Sequence, residues 1–152
     1  MTKSYRFSIY FPAAVCLLFL GLSLKSVAAI GQEAQYRARL SPMPTTPQTK
    51  TTITGAGEAL AALSGSTLTL QGNFSGMSST ATMAHLHLGP PAQPGPVVAA
   101  LEFTASNVGT LSASIDLSAE QLSALRANSL YVQIHSETNP AGELRGWLFS
   151  QD

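Results

Sequence analysis

The sequence predicts an all-β fold of about seven to eight antiparallel strands with one short helix, a β-sandwich or barrel, and a Greek-key, immunoglobulin-like β-sandwich is the expected form. Apolar and polar residues alternate in short runs along most of the chain, which is the period of half-buried strands. Twelve glycines and nine prolines among 152 residues punctuate those runs. That spacing suits short strands joined by turns and suits long helices poorly. A single segment carries a helix start signal, and it supplies the one helix.

Lys3 and Arg6 form a basic start, Phe7 to Leu24 is uncharged and mostly apolar, and Val27-Ala28-Ala29 offers small residues for cleavage. Residues 1–29 therefore read as a secretory signal peptide and residues 30–152 as one domain, secreted or periplasmic. The competing reading is a retained N-terminal anchor, since the apolar run approaches the spanning length of about 20 residues. Pro12 interrupts that run. Cys16 does not make a lipoprotein site, because a branched Val15 precedes it.

The elements follow in order. Tyr36, Ala38 and Leu40 alternate with Arg37 and Arg39 in a first strand, and the prolines between Ser41 and Pro47 call for a loop or sheet edge. Glu58 to Leu63 has helix propensity. Its flanking Gly55, Gly57 and Ser64-Gly65 argue for a hairpin strand instead. Leu68, Leu70 and Phe74 lie on one face of the next strand, and Ala84, Leu86 and Leu88 on one face of another. Val97, Ala99, Leu101 and Phe103 share a face, as do Leu111, Ala113, Ile115 and Leu117. Ser118 to Ala127 predicts the helix, with Ser118 and Gln121 in the capping-box arrangement. Leu130, Val132 and Ile134 make one more strand, and Leu144 and Leu148 belong to the last. Gly89-Pro90-Pro91, Pro94-Gly95-Pro96 and Asn139-Pro140-Ala141-Gly142 mark turns.

Charge and cysteine content exclude several functions. Eight basic residues balance eight acidic ones, and charged residues are only 11% of the chain. No basic stripe exists to hold nucleic acid. Beyond residue 29 five basic residues face eight acidic ones, a formal charge of −3, and there is no cysteine. Disulfides, thiolate nucleophiles and cysteine-ligated zinc are thereby excluded. The serines are plentiful, but none sits on a nucleophile elbow, so no catalytic residue is assigned.

What remains is a polar constellation on strands. His85 and His87 are two apart, so their side chains leave one face of their strand, opposite Ala84, Leu86 and Leu88. His135 lies on the non-core face of another strand, or at its end. Glu143 and Arg145 are two apart on the last strand. A hairpin through Thr138 to Gly142 would set them near His135 as a supporting network, with Glu143 salt-bridged to Arg145. If the His85 strand neighbours that hairpin, three imidazoles converge, and the nearby guanidinium favours the neutral form that a metal needs. Imidazole suits copper and zinc, so one Cu(II) or Zn(II) is the candidate cofactor of His85, His87 and His135. The plainer possibility is that these groups only pack and hydrogen-bond. Gly142 is expected in a conformation awkward for other residues, because the turn after Asn139-Pro140 is tight.

Ala84-His85-Leu86-His87, followed by Gly89-Pro90, resembles the first signature of the chordin-type (CHRD) domain. Leu130 to His135, followed by Asn139-Pro140-Ala141-Gly142-Glu143-Leu144-Arg145-Gly146, resembles its second. The opening strand with its prolines and the Gly55-x-Gly57 pattern are similar to the start of that domain. The resemblance implies an extracellular all-β domain whose biochemical activity the family name does not supply. Residues Gly89, Pro90, Pro140, Gly142 and Gly146 then read as turn and structural positions. A second likeness is to the copper/zinc superoxide dismutases, a Greek-key sandwich family with His-x-His on a strand. It would make His85, His87 and His135 copper ligands beside Arg145. The bridging histidine, the zinc loop and the disulfide cysteines of that family have no counterpart here, so a two-metal dismutase is excluded.

Two functions follow. One is a secreted or periplasmic binding module for an extracellular or cell-envelope partner, with no chemistry of its own. The other is a single-site copper- or zinc-binding protein, with dismutase-like activity as its extension. Neither involves nucleic acid, nor a membrane once residues 1–29 are removed.

Overall fold

The computed structural model describes residues 33–151 together with Met1. The signal-peptide reading, Cys16 included, lies outside the described residues. Among those described, no helix is long and apolar enough to cross a membrane.

Among the described residues ten strands and one helix follow one another as β1 (Ala34–Pro42), β2 (Ala56–Ser64), β3 (Thr67–Ser75), β4 (Ala81–Leu88), β5 (Val97–Ala100), β6 (Glu102–Phe103), β7 (Gly109–Asp116), α1 (Ala119–Arg126), β8 (Leu130–Ser136), β9 (Leu144–Trp147) and β10 (Phe149–Ser150). All pairings are antiparallel, in the order β5-β4-β8-β9-β1-β2-β3-β7-β6, with β10 also beside β1. The all-β antiparallel sandwich is thus the observed fold, with ten strands where about seven or eight were expected.

The excess comes from two corners. The chain from Val97 to Phe103 is one run in sequence, but its first half pairs with β4 and its second with β7. Leu101 stands at the break, buried, and donates its N–H to the Ala84 carbonyl at 2.9 Å. The last run breaks likewise at Leu148, with β9 on β8 and β10 on β1. β1 changes sheets as well: Ala34 to Leu40 pair with β2, whereas Ser41 and Pro42 pair with β9. The expected proline loop therefore starts later, because Pro42 caps a strand end where no ladder donor is missed. The three sheet-switching runs bring the sheet close to closing on itself.

The core lies between the two halves. Tyr36, Ala38 and Leu40 from β1, Leu68, Leu70 and Phe74 from β3, Leu86 from β4, and Leu130, Val132 and Ile134 from β8 are all buried in it. Glu58 to Leu63 is strand despite its helix propensity, because β1 and β3 pair with it on both sides. The helix forms behind the predicted capping box, and buried Leu125 faces the core.

Candidate metal centre

β4 and β8 lie side by side, with Met83 opposite His135, His85 opposite Gln133, and His87 opposite Tyr131. β9 continues the same face, with Arg145 opposite Gln133 and Trp147 opposite Tyr131. The odd-numbered residues of these strands point away from the core. On β8 they are nevertheless buried: Tyr131, Gln133 and His135 are all hidden from solvent, although they face away from the core. Two loops cover them, and both are the turn motifs seen in the sequence.

At one end, the loop after Gly89 folds back over the sheet. The His87 Nδ1–H donates to the Gly95 carbonyl at 3.0 Å, and the Trp147 indole N–H donates to the Gly89 carbonyl at 2.9 Å. Pro90 closes the same loop through its carbonyl, which accepts from the Gln93 N–H. At the other end, His135 Nδ1–H donates to the Pro140 carbonyl at 2.9 Å. A carbonyl only accepts, so in both rings Nδ1 carries the proton and Nε2 the lone pair. This is how a protein orients imidazoles that ligate through the other nitrogen.

The three rings converge. His85 Nδ1 lies 3.3 Å from His135 Nε2, and one ring nitrogen from each histidine falls within 4.8 Å of the other two. Gln133 Nε2 sits 3.4 Å from His135 Nε2. The His87 ring stacks on Tyr131, with centroids 4.8 Å apart. His87 Nε2 is buried with no hydrogen-bond partner. An unpartnered buried acceptor costs about 1–3 kcal/mol, so its survival calls for a group that occupies it.

Arg145 joins the periphery. Its guanidinium lies over the rings of Tyr131 and Trp147, 5.6 and 4.9 Å from their centroids. The expected Glu143–Arg145 salt bridge does not form. Glu143 precedes β9 and turns away from the histidines into a separate buried hub. There it accepts from the N–H groups of Thr54 and Ser78, the hydroxyls of Ser78 and Ser136, and the Asn139 amide. Strand period puts Glu143 and Arg145 on one face only where both lie in the strand, and Glu143 does not. Gly142, next to it, has φ +123°, and a Cβ there would come within 2.7 Å of Met43 Sδ and Gln133 Nε2. Gly146 lets β9 pass against the Arg39 backbone, where a side chain would collide.

Comparison with known proteins matches the CHRD domain over residues 36–148, most of the chain. The chain belongs to the CHRD domain family. No curated protein and no solved structure matches it. The comparisons do not show the second likeness, to the copper/zinc superoxide dismutases.

In this CHRD domain the two signature motifs meet in space: the first supplies His85 and His87, the second His135 and the turn that orients it. Burial holds His85 below the usual histidine range, and the neighbouring His135 and His87 add to the effect. Burial also lowers His87; the Gly95 carbonyl opposes this, while His135 and Arg145 reinforce it. Both rings are therefore neutral near pH 7, the form that ligates. Tyr131, Gln133 and Trp147 join the site without having been predicted for it. Their signal was the two-residue spacing from His135 and Arg145, which puts them on the histidine face.

Proposed function

We propose that this CHRD domain is a binding module whose ligand is one divalent transition-metal ion, Cu(II) or Zn(II), held by His85, His87 and His135. The observation that carries the reading is the buried, unpartnered Nε2 of His87 beside two further imidazoles. Three imidazole nitrogen donors suit either metal. The backbone carbonyls of Gly95 and Pro140 supply the outer support that ligating histidines require. The reading assigns binding and no catalysis. The domain acts outside the cytoplasm, secreted or periplasmic, once residues 1–29 have been removed.

Titration calorimetry of the purified protein with Cu(II) and with Zn(II) tests this. One ion should bind per chain near pH 7, and binding should be lost on acidification, once protons compete with the metal for the ring nitrogens. His135→Ala and His87→Ala should each weaken binding by tenfold or more while circular dichroism stays unchanged, since about 10–100-fold is lost when even supporting residues are removed. If the wild type takes up neither metal, or either variant binds equally well, the cluster is structural. The domain then binds an extracellular or cell-envelope partner by its surface alone.

A further inference from the structure

Beside the histidine face, where β1 runs against β9 and β10, the sheet carries an open groove of about 360 Å³. Its walls include Pro42, Met43, Ala92, Trp147 and Phe149, and among the described residues that line it the charged ones are Arg39 and Arg145, with no carboxylate. We propose that this groove binds an organic oxyanion: an apolar body carrying a carboxylate or phosphate head. The proposal stands apart from the metal reading, because none of the three histidines lines the groove.

The charge pattern carries the argument. Five basic side chains lie among the described residues, in a chain segment with a net negative charge. Arg37 is spent on Glu58. Arg39, two residues along the same exposed face of β1, has no side-chain hydrogen-bond or ion-pair partner among the described residues. Arg145 is held by aromatic rings rather than by a carboxylate, so its N–H edge is not consumed by an anion of the protein. Cation–π stacking fixes the guanidinium plane and leaves that edge for a ligand. Two unspent guanidiniums on one groove are matched by an oxyanion, which can accept from a guanidinium in bidentate fashion.

The walls supply the rest of the specificity. Trp147 is immobilised through its N–H bond to Gly89, so the indole is a fixed surface rather than a swinging one. Phe149 is 46% exposed at the groove, an apolar ring that a small inorganic ion would leave wet. A rigid aromatic wall beside fixed donors is the usual composition of a small-molecule site, whose volume is about 300–1,000 Å³. The ligand that covers these rings and neutralises both arginines has an apolar body and an anionic head.

Trp147 is the only tryptophan of the chain, so its emission reports on this groove. The intact protein, in the presence of a chelator, is titrated below micellar concentrations with octanoate, octyl phosphate, octylammonium and inorganic phosphate. Saturable change in Trp147 emission with octanoate or octyl phosphate, and none with the other two, supports the proposal; the tighter head names the natural one. Arg39→Gln should then weaken that binding about tenfold, as expected for one charge-assisted hydrogen bond. Equal response to octylammonium would make the groove a plain apolar patch, and equal response to inorganic phosphate a plain anion site. Either result, no saturable response at all, or an Arg39→Gln variant that binds as the wild type does would overturn the proposal.

Discussion

Glu143 shows how one side chain can hold three loops. It is fully buried, and its donors come from three stretches far apart in the chain: Thr54, Ser78, and the pair Ser136 and Asn139. Burial alone would push the carboxyl up, but the hydrogen bonds from Ser136, Ser78, Asn139 and Thr54 outweigh it and hold it below its usual value. The native state therefore binds this proton less readily than the unfolded chain. The resulting stability is complete above the ordinary value of about 4.5 and is lost as pH falls through the lowered native value. Urea unfolding should show a midpoint that drops in that acid window. Glu143→Gln should remove this part of the drop and destabilise the protein at pH 7 by about 3 kcal/mol, since hydrogen bonds to charged groups contribute about 1.5–3 kcal/mol each. A variant with the wild-type midpoint and the wild-type acid slope would mean that the hub is not holding the loops.

At the scale of elements, the helix α1 was the most legible part. Ser118 accepts from the Gln121 N–H, and the Gln121 side chain accepts from the Ser118 N–H, as the sequence pattern predicted. Ser118→Ala should cost about 1 kcal/mol in thermal or chemical unfolding; a change below a few tenths would show that the helix is held by Leu125 packing alone. The strand cores were legible too, because period two sorts Leu130, Val132 and Ile134 from their neighbours. The corners at Leu101 and Leu148 were not, since a change of sheet depends on partners remote in sequence. Nor was the burial of Tyr131, Gln133 and His135. Alternation tells which residues share a face but not that a loop will cover it. The three histidines could be placed on faces from sequence; that the β4 face and the β8 face are one required the pairing.

For the whole molecule, closure is the decisive feature. The run from Val97 to Phe103 joins the two outermost strands of the sheet order, so both sheet ends are tied through Leu101. Edge strands present unpaired donors and acceptors to other chains, and tying them together limits that exposure. Leu101→Ala should cost about 2–5 kcal/mol, the range for emptying a buried leucine site. Because the corner serves both sheets, unfolding should remain one cooperative transition in the variant, read identically by far-UV circular dichroism and Trp147 emission. Two separated transitions would show that the sheets are held independently.

β1 also has a consequence in time. Its first partner, β2, follows almost at once, whereas Ser41 meets Arg145 and Tyr36 meets Ser150. A ribosome delivers β1, β2 and β3 early, and these can begin to pair while the rest is still being made. The seam between the sheets waits for β9 and β10, more than 100 residues further along the chain, and closing so long a loop is slow. Until β9 and β10 have formed their pairs with β1 the domain cannot close, so the early hairpins wait as an open sheet.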